Sequence, residues 1–188
     1  VEQMNPTYES CEVHSMSMEF FAWKWLHLFY GEDESRAKFA HLESCLTFIP
    51  YGTMVDHFQH IIYDKPELTP AQRHEEWSRL EKIYRPYMDF SDISFYNERK
   101  LWQRQLHIFQ FPFYYIDYCL AQTVALEYWA MSQENYDEAF KKYNDFVGGG
   151  GRYTFVELCK KGGVIPPFEK GSLKAVVKAA NEWLNKKQ

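Results

Sequence analysis

Helix start and stop signals recur along almost the whole chain, and they limit the possible folds more than any other feature of the sequence. The stretch LTPAQRHEEW begins a helix, with Thr69 as the N-cap, Pro70 at the first helical position and Gln72 completing a capping box. We find no convincing strand pattern beside these helical segments. The sequence therefore predicts an all-α protein, built as a multi-helix array.

The predicted helices form one all-helical piece that covers residues 1–188. The first helix runs from Tyr8 to Tyr30 and stops at Gly31, the second covers Ser35–Tyr63 with a break or kink near Pro50–Gly52, and the third runs from its cap at Thr69 to about Tyr84. A fourth helical region begins near Phe95, passes through FQFPFYY and ends at Ser132. Three shorter helices follow: Asn135–Val147, ended by Gly148–Gly151; one capped by Thr154 and closed by Gly162–Gly163; and a last one capped by Ser172 that ends at Lys187. The stretch DFSDIS, at 89–94, is predicted to be a loop.

Charge and hydropathy argue against two classes of partner. The formal net charge is -5 and no stripe of basic residues is present, whereas phosphate binding requires a concentrated basic surface. No apolar run approaches the roughly 20 residues that are needed to cross a bilayer. We therefore expect neither nucleic acid nor a membrane as a partner.

The spacing of the cysteines indicates the cellular compartment of the protein. Cys11, Cys45, Cys119 and Cys159 are widely spaced and contain no C-x-x-C pair, and the sequence carries no signal peptide. This pattern predicts a reducing, cytoplasmic location.

A polar stripe crosses the first predicted helix. Glu12, Ser15 and Glu19 are spaced i, i+3 and i+7, so they share one face of a helix with about 3.6 residues per turn. The segment is otherwise rich in Met, Phe and Trp. Because an unpaired buried charge is very costly, these carboxylates need a partner, a cation or water.

A second candidate segment is WQRQLHIFQFPFYYIDY, which gathers a histidine and several tyrosines around a proline. Pro112 predicts an irregular or kinked backbone, near which His107, Tyr114 and Tyr118 can converge. Their imidazole and hydroxyl groups suit donation to a developing oxyanion. Aromatic packing, with each hydroxyl bonded to the backbone, is the alternative, and the spacing alone favours it.

Three other motifs carry weaker predictions. The four glycines at Gly148–Gly151 follow no strand and precede no Gly-Lys-Ser/Thr, so they predict a helix–helix turn. His57 and His60 are spaced i, i+3, but no third ligand lies near them in sequence, which favours a solvated or core histidine pair. A free-standing metal-binding bundle that uses these two histidines and Glu12 is the alternative. RHEEWS begins like the zinc-protease motif H-E-x-x-H, but Ser78 stands at the second histidine position.

The order and spacing of several motifs resemble one family, the thimet oligopeptidase and oligoendopeptidase F zinc peptidases, and most of all its bacterial oligoendopeptidase F branch. E-x-x-S-x-x-x-E, from Glu12 to Glu19, resembles the helix that carries the third zinc ligand. R-x-x-H followed by P-F-Y-x-x-x-Y, from Arg104 to Tyr118, is similar to the segment that stabilises the transition state. DFVGGGGRYTFVELCKKGGV is similar to the closing stretch of the family.

The resemblance implies a role for each matching residue. Glu12 would be the glutamate zinc ligand, and Ser15 and Glu19 would lie around it, with Glu19 orienting a zinc-bound histidine. His107 and one or both of Tyr114 and Tyr118 would donate to the oxyanion. The spacing from His107 to Pro-Phe-Tyr is one residue longer than in the family pattern, which leaves open which tyrosine reaches the substrate.

The family motif H-E-x-x-H is absent from this sequence, and it would lie before Val1. The resemblance therefore implies the C-terminal part of a zinc endopeptidase of short peptides, whose partner is the upstream part that carries H-E-x-x-H. The chain alone is predicted to be inactive. The alternative is a non-enzymatic helical binding module that lacks a functional metal site.

Overall fold

The computed structural model describes residues 5–89, 92–93 and 100–186. These residues form helices joined by turns and loops, with no strand among them, which confirms the predicted all-α class. None of the described helices is long and apolar enough to span a membrane. The chain divides into two compact units, a first unit of residues 1–46 with 120–188 and a second unit of residues 47–119. That the chain is a single piece of one domain stays a prediction.

The helices have the following bounds. In chain order the α-helices are α1 Tyr8–Phe21, α2 His27–Tyr30, α3 Glu34–Asp64, α4 Pro70–Tyr84, α5 His107–Gln110, α6 Tyr115–Glu134, α7 Tyr136–Val147, α8 Phe155–Lys161 and α9 Lys174–Asn185, and 3₁₀ helices cover Ala22–Trp25, Gly31–Asp33 and Leu101–Arg104.

Local capping chemistry determines where several helices begin, as predicted. The Thr69 hydroxyl accepts the backbone N–H of Gln72, whose side-chain oxygen in turn accepts the N–H of Thr69, and this capping box starts α4. Thr154 begins α8 with a second capping box, and the Asn135 side chain caps α7. The predicted end at Gly31 is also confirmed, and this glycine has a φ of +52°.

The predicted single helix from Tyr8 to Tyr30 is wrong. The α-helical hydrogen bonding ends at Phe21, and a 3₁₀ turn follows in which the N–H of Leu26 donates to the carbonyl of Trp23 at 3.3 Å. Trp23 is buried, and its indole N–H donates to His41 at 2.8 Å. This distant partner favours the tighter turn over a continued α-helix, and no local pattern in the sequence shows it.

A break or kink is predicted near Pro50–Gly52, and the break is wrong, because α3 continues through the proline. The kink stays a prediction. Packing compensates for the hydrogen bond that the proline lacks, since Met54 and Phe58 are fully buried in the second unit. Gly52 allows a close approach between backbone and side chain, because a Cβ at this position would lie 2.2 Å from the Cys119 sulfur.

The predicted cap at Ser172 is wrong as well. Helix α9 begins at Lys174, and the Ser172 hydroxyl donates to the carbonyl of Pro167 at 3.3 Å instead. The end predicted at Lys187, the start near Phe95 and half of the DFSDIS loop fall outside the described residues.

Each unit has its own apolar core. The first unit buries Val13, Phe21, Val124, Tyr128, Phe146 and Leu158, and the second unit buries Met54, Phe58, Trp77, Leu80 and Ile108. Cys45, Cys119 and Cys159 are buried and form no disulfide, and burial raises the pKa of their thiols to about 12. Cys11 is a free thiol on the exposed surface of α1.

Candidate active site

The polar stripe predicted on the first helix is present on α1. Val13 and Ser17 are buried on the opposite side of the helix, while Glu12 is half-buried and Ser15 is exposed. The Ser15 hydroxyl donates to the backbone carbonyl of Glu12 at 3.1 Å, so it is bonded to its own helix. The Glu19 side chain is 60% exposed. Helix α1 therefore presents Glu12 and Glu19 on its more accessible side, as the spacing predicts.

Glu19 has a partner that the sequence patterns do not indicate. Its Oε2 lies 2.9 Å from Nε2 of His41, and the Nδ1 of the same ring accepts the indole N–H of Trp23 at 2.8 Å. Because an indole N–H only donates, a neutral His41 carries its hydrogen on Nε2. His41 therefore donates to the Glu19 carboxylate and holds it in one orientation.

The described residues do not by themselves contain a complete metal site. Among them, no group of three or more His, Cys, Asp and Glu side chains is placed so as to hold a metal ion. A tight protein zinc site uses at least three protein ligands, so a site that includes Glu12 needs further groups.

The histidine pair in α3 does not form a metal site within the described residues. His57 Nδ1 lies 3.0 Å from the Tyr84 hydroxyl, and His60 Nε2 lies 3.4 Å from a carboxylate oxygen of Asp56. Each imidazole therefore has its own neighbour in the second unit.

His107, Tyr114 and Tyr118 converge in the second unit. The His107 ring stacks on Tyr114 with centroids 6.4 Å apart, and it meets Tyr118 edge-on at 5.6 Å. The Tyr118 hydroxyl lies 3.4 Å from His107 Nε2, which is a long hydrogen bond. All three side chains are half-buried. The structure thus brings the imidazole and both phenols together. The contact between His107 and the Tyr118 hydroxyl is compatible with donation to an oxyanion, and the ring contacts are compatible with aromatic packing.

Two further side chains fix the other edge of the His107 ring. Gln105 Nε2 lies 2.8 Å from His107 Nδ1, and the Tyr51 hydroxyl donates to Gln105 Oε1 at 3.0 Å. Tyr115 packs edge-on against the same imidazole at 5.1 Å, and burial raises the pKa of its phenol. The ring of His107 is therefore held by hydrogen bonds on one side and by aromatic contacts on the other.

The backbone between His107 and Tyr114 is strained at one residue. Phe113 has a φ of +64°, and it is the one non-glycine residue with a positive φ among the described parts of the chain. Its N–H donates to Oε1 of Gln59 at 2.8 Å, and Gln59 is fully buried. The Tyr63 hydroxyl donates to the carbonyl of Ile108 at 3.1 Å. Helix α3 thus holds the segment at both ends, and such strain is concentrated at functional sites in proteins.

The sequence patterns do not indicate His41, Gln59 or Gln105. His41 and Glu19 are 22 positions apart, and Gln59 and Phe113 are 54 apart, so neither pair has a local spacing that could reveal it. Gln105 lies two residues before His107, so the sequence predicts that the two residues are close. It does not predict that the Gln105 amide contacts the His107 ring.

Comparison with solved structures shows close relatives. PZ peptidase A, solved with an inhibitor, is 45% identical with a TM-score of 0.93, and the match covers 98% of this chain and 33% of that chain. A structure described as an oligoendopeptidase F is 45% identical with a TM-score of 0.91, and the match covers 96% and 32%. An oligoendopeptidase F described from Bacillus anthracis str. Ames is 40% identical with a TM-score of 0.82, and the match covers 98% and 30%. No curated protein sequence matches the chain.

The family model for peptidase family M3 matches residues 1–178. The chain belongs to peptidase family M3, as the motifs from Glu12 to Tyr118 predict. It spans about a third of the length of the solved structures that it matches.

Proposed function

We propose that the chain is part of a zinc metalloendopeptidase that hydrolyses short peptides. The chain would supply the glutamate zinc ligand and the side chains that stabilise the oxyanion. The observation that carries the proposal is the cluster in which the His107 imidazole meets the hydroxyl of Tyr118 at 3.4 Å, found in a chain of peptidase family M3.

Glu12 is the residue proposed to hold the zinc ion. Its carboxylate is an oxygen ligand that zinc accepts, and it lies half-buried on the accessible side of α1. The remaining ligands, two histidines of an H-E-x-x-H motif, belong to the upstream part of the protein in this proposal. When bound there, zinc supplies Lewis acidity to the scissile carbonyl group.

Glu19 would orient one of the zinc-binding imidazoles. A ligand histidine needs an acceptor for its second ring N–H, and an exposed carboxylate is suited to that role. The hydrogen bond from His41 holds Glu19 in place while leaving its side chain 60% exposed. Ser15 would support the same helix face through its bond to the Glu12 carbonyl.

His107 and the two tyrosines would act on the substrate. As the carbonyl carbon becomes tetrahedral, negative charge develops on its oxygen, and N–H and O–H donors lower the energy of that state. His107 and Tyr118 are adjacent donors for this charge, with Tyr114 stacked beside them. The glutamate of the H-E-x-x-H motif would take the proton of the attacking water.

The described residues contain no three-ligand group, and this observation favours a second candidate function, a helical binding module without a metal site. The prediction that the isolated chain does not cleave peptides rests on a different observation, the absence of H-E-x-x-H from its sequence. A cytoplasmic location remains a prediction from the cysteine pattern.

Co-expression with an upstream segment of a family member that carries H-E-x-x-H tests the proposal. We expect zinc-dependent cleavage of a quenched fluorescent peptide by the complex, and none by the isolated chain. Glu12→Gln should lower the activity at least about 100-fold, since even residues outside the ligand set cost 10- to 100-fold. Glu134→Gln, an exposed carboxylate at the end of α6, is the matched control and should retain full activity. Cleavage that survives Glu12→Gln intact refutes the ligand assignment.

A further inference from the structure

Four side chains of the second unit form a continuous hydrogen-bonded chain, which we call the imidazole relay. The Tyr51 hydroxyl donates to Gln105 Oε1 at 3.0 Å, and Gln105 Nε2 lies 2.8 Å from His107 Nδ1. His107 Nε2 then lies 3.4 Å from the Tyr118 hydroxyl oxygen. Both ring nitrogens of His107 therefore have a neighbour in the relay, an amide at Nδ1 and a phenol at Nε2.

The amide of Gln105 determines where the imidazole carries its hydrogen. An amide nitrogen has two hydrogens and donates but does not accept. His107 Nδ1, at 2.8 Å from that nitrogen, must therefore be the acceptor. A neutral imidazole has one hydrogen, so the hydrogen of His107 lies on Nε2, which faces Tyr118.

Tyr51 holds the amide in this orientation. Its hydroxyl donates to Oε1 of Gln105, so the amide oxygen faces Tyr51 and the amide nitrogen faces the imidazole. The Tyr51 ring is itself fixed by edge-on packing against Trp77 at 6.5 Å and Tyr115 at 6.1 Å. All members of the relay then donate in the same direction, and hydrogen bonds in such a chain polarise one another.

We propose that Gln105 is a positioning residue that keeps the single ring hydrogen of His107 on Nε2, and that this hydrogen is the one His107 donates to the oxyanion. The second clause rests on the proposed function. The contact from Nε2 to Tyr118 is long at 3.4 Å, so it is easily exchanged for a shorter bond to an oxyanion at about 2.7–3.1 Å. With its hydrogen on Nδ1, the imidazole would present a lone pair to the negative oxygen and repel it.

Nitrogen NMR of the imidazole tests the first clause directly on the chain. At a pH of about 9, where an ordinary imidazole is neutral, the ¹⁵N shifts and ring-proton couplings of His107 should show the Nε2–H tautomer. Gln105→Glu replaces the amide donor with an acceptor of the same shape, so the variant should show the Nδ1–H tautomer. Gln103→Glu, the same substitution on an exposed residue of the 3₁₀ helix that ends just before Gln105, should leave the wild-type pattern unchanged.

The tautomer experiment has clear negative results. An Nδ1–H pattern in the wild-type chain overturns the proposal, because it means that the Gln105 amide is turned the other way. An unchanged Nε2–H pattern in Gln105→Glu also overturns it, because the ring then keeps its hydrogen without help from Gln105.

Kinetics of the complex with an H-E-x-x-H-bearing segment tests the second clause. We expect Gln105→Glu to lower kcat about 100-fold with little change in KM, as loss of one oxyanion donor does. Gln105→Met, which removes the amide without imposing the reverse tautomer, should lose clearly less activity. Equal losses in both variants would mean that Gln105 acts through packing alone, which overturns the positioning role. If the tautomers behave as expected and no complex cleaves peptides, the proposed function fails and the first clause stands.

Discussion

His41 in the first unit and His107 in the second unit are held by the same chemistry but serve different ends. In both rings Nδ1 accepts from a nitrogen that only donates, the indole of Trp23 at 2.8 Å and the amide of Gln105 at 2.8 Å. The hydrogen on Nε2 then meets a carboxylate oxygen of Glu19 at 2.9 Å in one case and the phenol of Tyr118 at 3.4 Å in the other.

The two imidazoles differ in whether the hydrogen on Nε2 remains available for a substrate. A hydrogen bond to a carboxylate is short and strong, so the hydrogen of His41 is used within the protein and fixes Glu19. A long bond to a neutral phenol is weak, so His107 can give its hydrogen to a stronger acceptor. In the proposed function, His41 therefore fixes a carboxylate of the first unit, and His107 of the second unit keeps a donor for the substrate.

The largest effect is expected from removal of His107. His107→Phe keeps the ring contacts with the tyrosines and removes both nitrogens, so the complex should lose about 100- to 1,000-fold in kcat, as enzymes do when one oxyanion donor is deleted. Urea unfolding of the chain should change little, because the aromatic packing remains. A variant with kcat near that of the wild type would assign the His107 cluster to packing alone.

A smaller loss of activity is expected from His41. His41→Phe removes the donor to Glu19 and leaves the buried Trp23 indole without its acceptor. We expect zinc affinity or activity of the complex to fall 10- to 100-fold, and the free energy of unfolding to fall by about 1–3 kcal/mol.

His41→Gln provides the control for this comparison. Its amide nitrogen can take the place of Nε2 and donate to Glu19, so zinc affinity should recover in part. Equal zinc affinity in wild type and His41→Phe would show that Glu19 needs no anchor.

The smallest effect concerns a buried carboxylate of the first unit, Glu127, which contrasts with the exposed Glu19. The backbone N–H of Ile165 donates to its Oε2 at 2.9 Å, yet burial raises the pKa of Glu127 from 4.5 to about 7. Because the pKa of Glu127 is higher in the folded state than in the unfolded state, its protonated carboxyl contributes fully to the free energy of unfolding below a pH of 4.5. This contribution is lost as the pH rises through about 7.

Glu127→Gln should remove this pH dependence. We expect the variant to be more stable than the wild type at a pH of about 8.5, by about 2 kcal/mol after allowance for solvent screening. At a pH of about 5 the two should differ by clearly less, as measured by urea midpoints. Glu134→Gln in the same helix, on an exposed residue, should behave as the wild type at both pH values. A constant difference between the Glu127→Gln variant and the wild type at both pH values would contradict the raised pKa.

The sequence predicts those parts of the fold that depend on neighbours within one or two turns. The capping boxes at Thr69 and Thr154 and the stop at Gly31 follow local rules and are found as predicted. The helix end at Phe21 depends on the bond from Trp23 to His41, 18 positions away, and the unbroken helix through Pro50 depends on core packing. Local patterns contain no information about those contacts, so the predictions of one helix from Tyr8 to Tyr30 and of a break in α3 fail. The cap at Ser172 fails for a local reason, because its hydroxyl bonds to Pro167, five residues earlier, instead.

The residues of the candidate site fall into the same two groups, those that local spacing predicts and those that only the folded structure shows. Helical spacing places Glu12, Ser15 and Glu19 on one face, and the short distance in sequence brings His107 close to Tyr114 and Tyr118. The groups that orient these residues come from elsewhere in the chain. His41 comes from another helix, and Tyr51 lies 54 positions from Gln105, so only the folded structure shows them.

The unequal burial of the four thiols makes the wild-type chain ready for site-specific labelling. Three of them are buried, and protonated because their pKa is raised to about 12, so an alkylating reagent meets Cys11 first. Cys11 is adjacent to Glu12 in sequence and exposed on α1. A maleimide dye or a nitroxide attached there, without any engineered cysteine, would report arrival of a metal ion or an upstream segment beside the proposed ligand as a change in fluorescence or in the electron paramagnetic resonance spectrum.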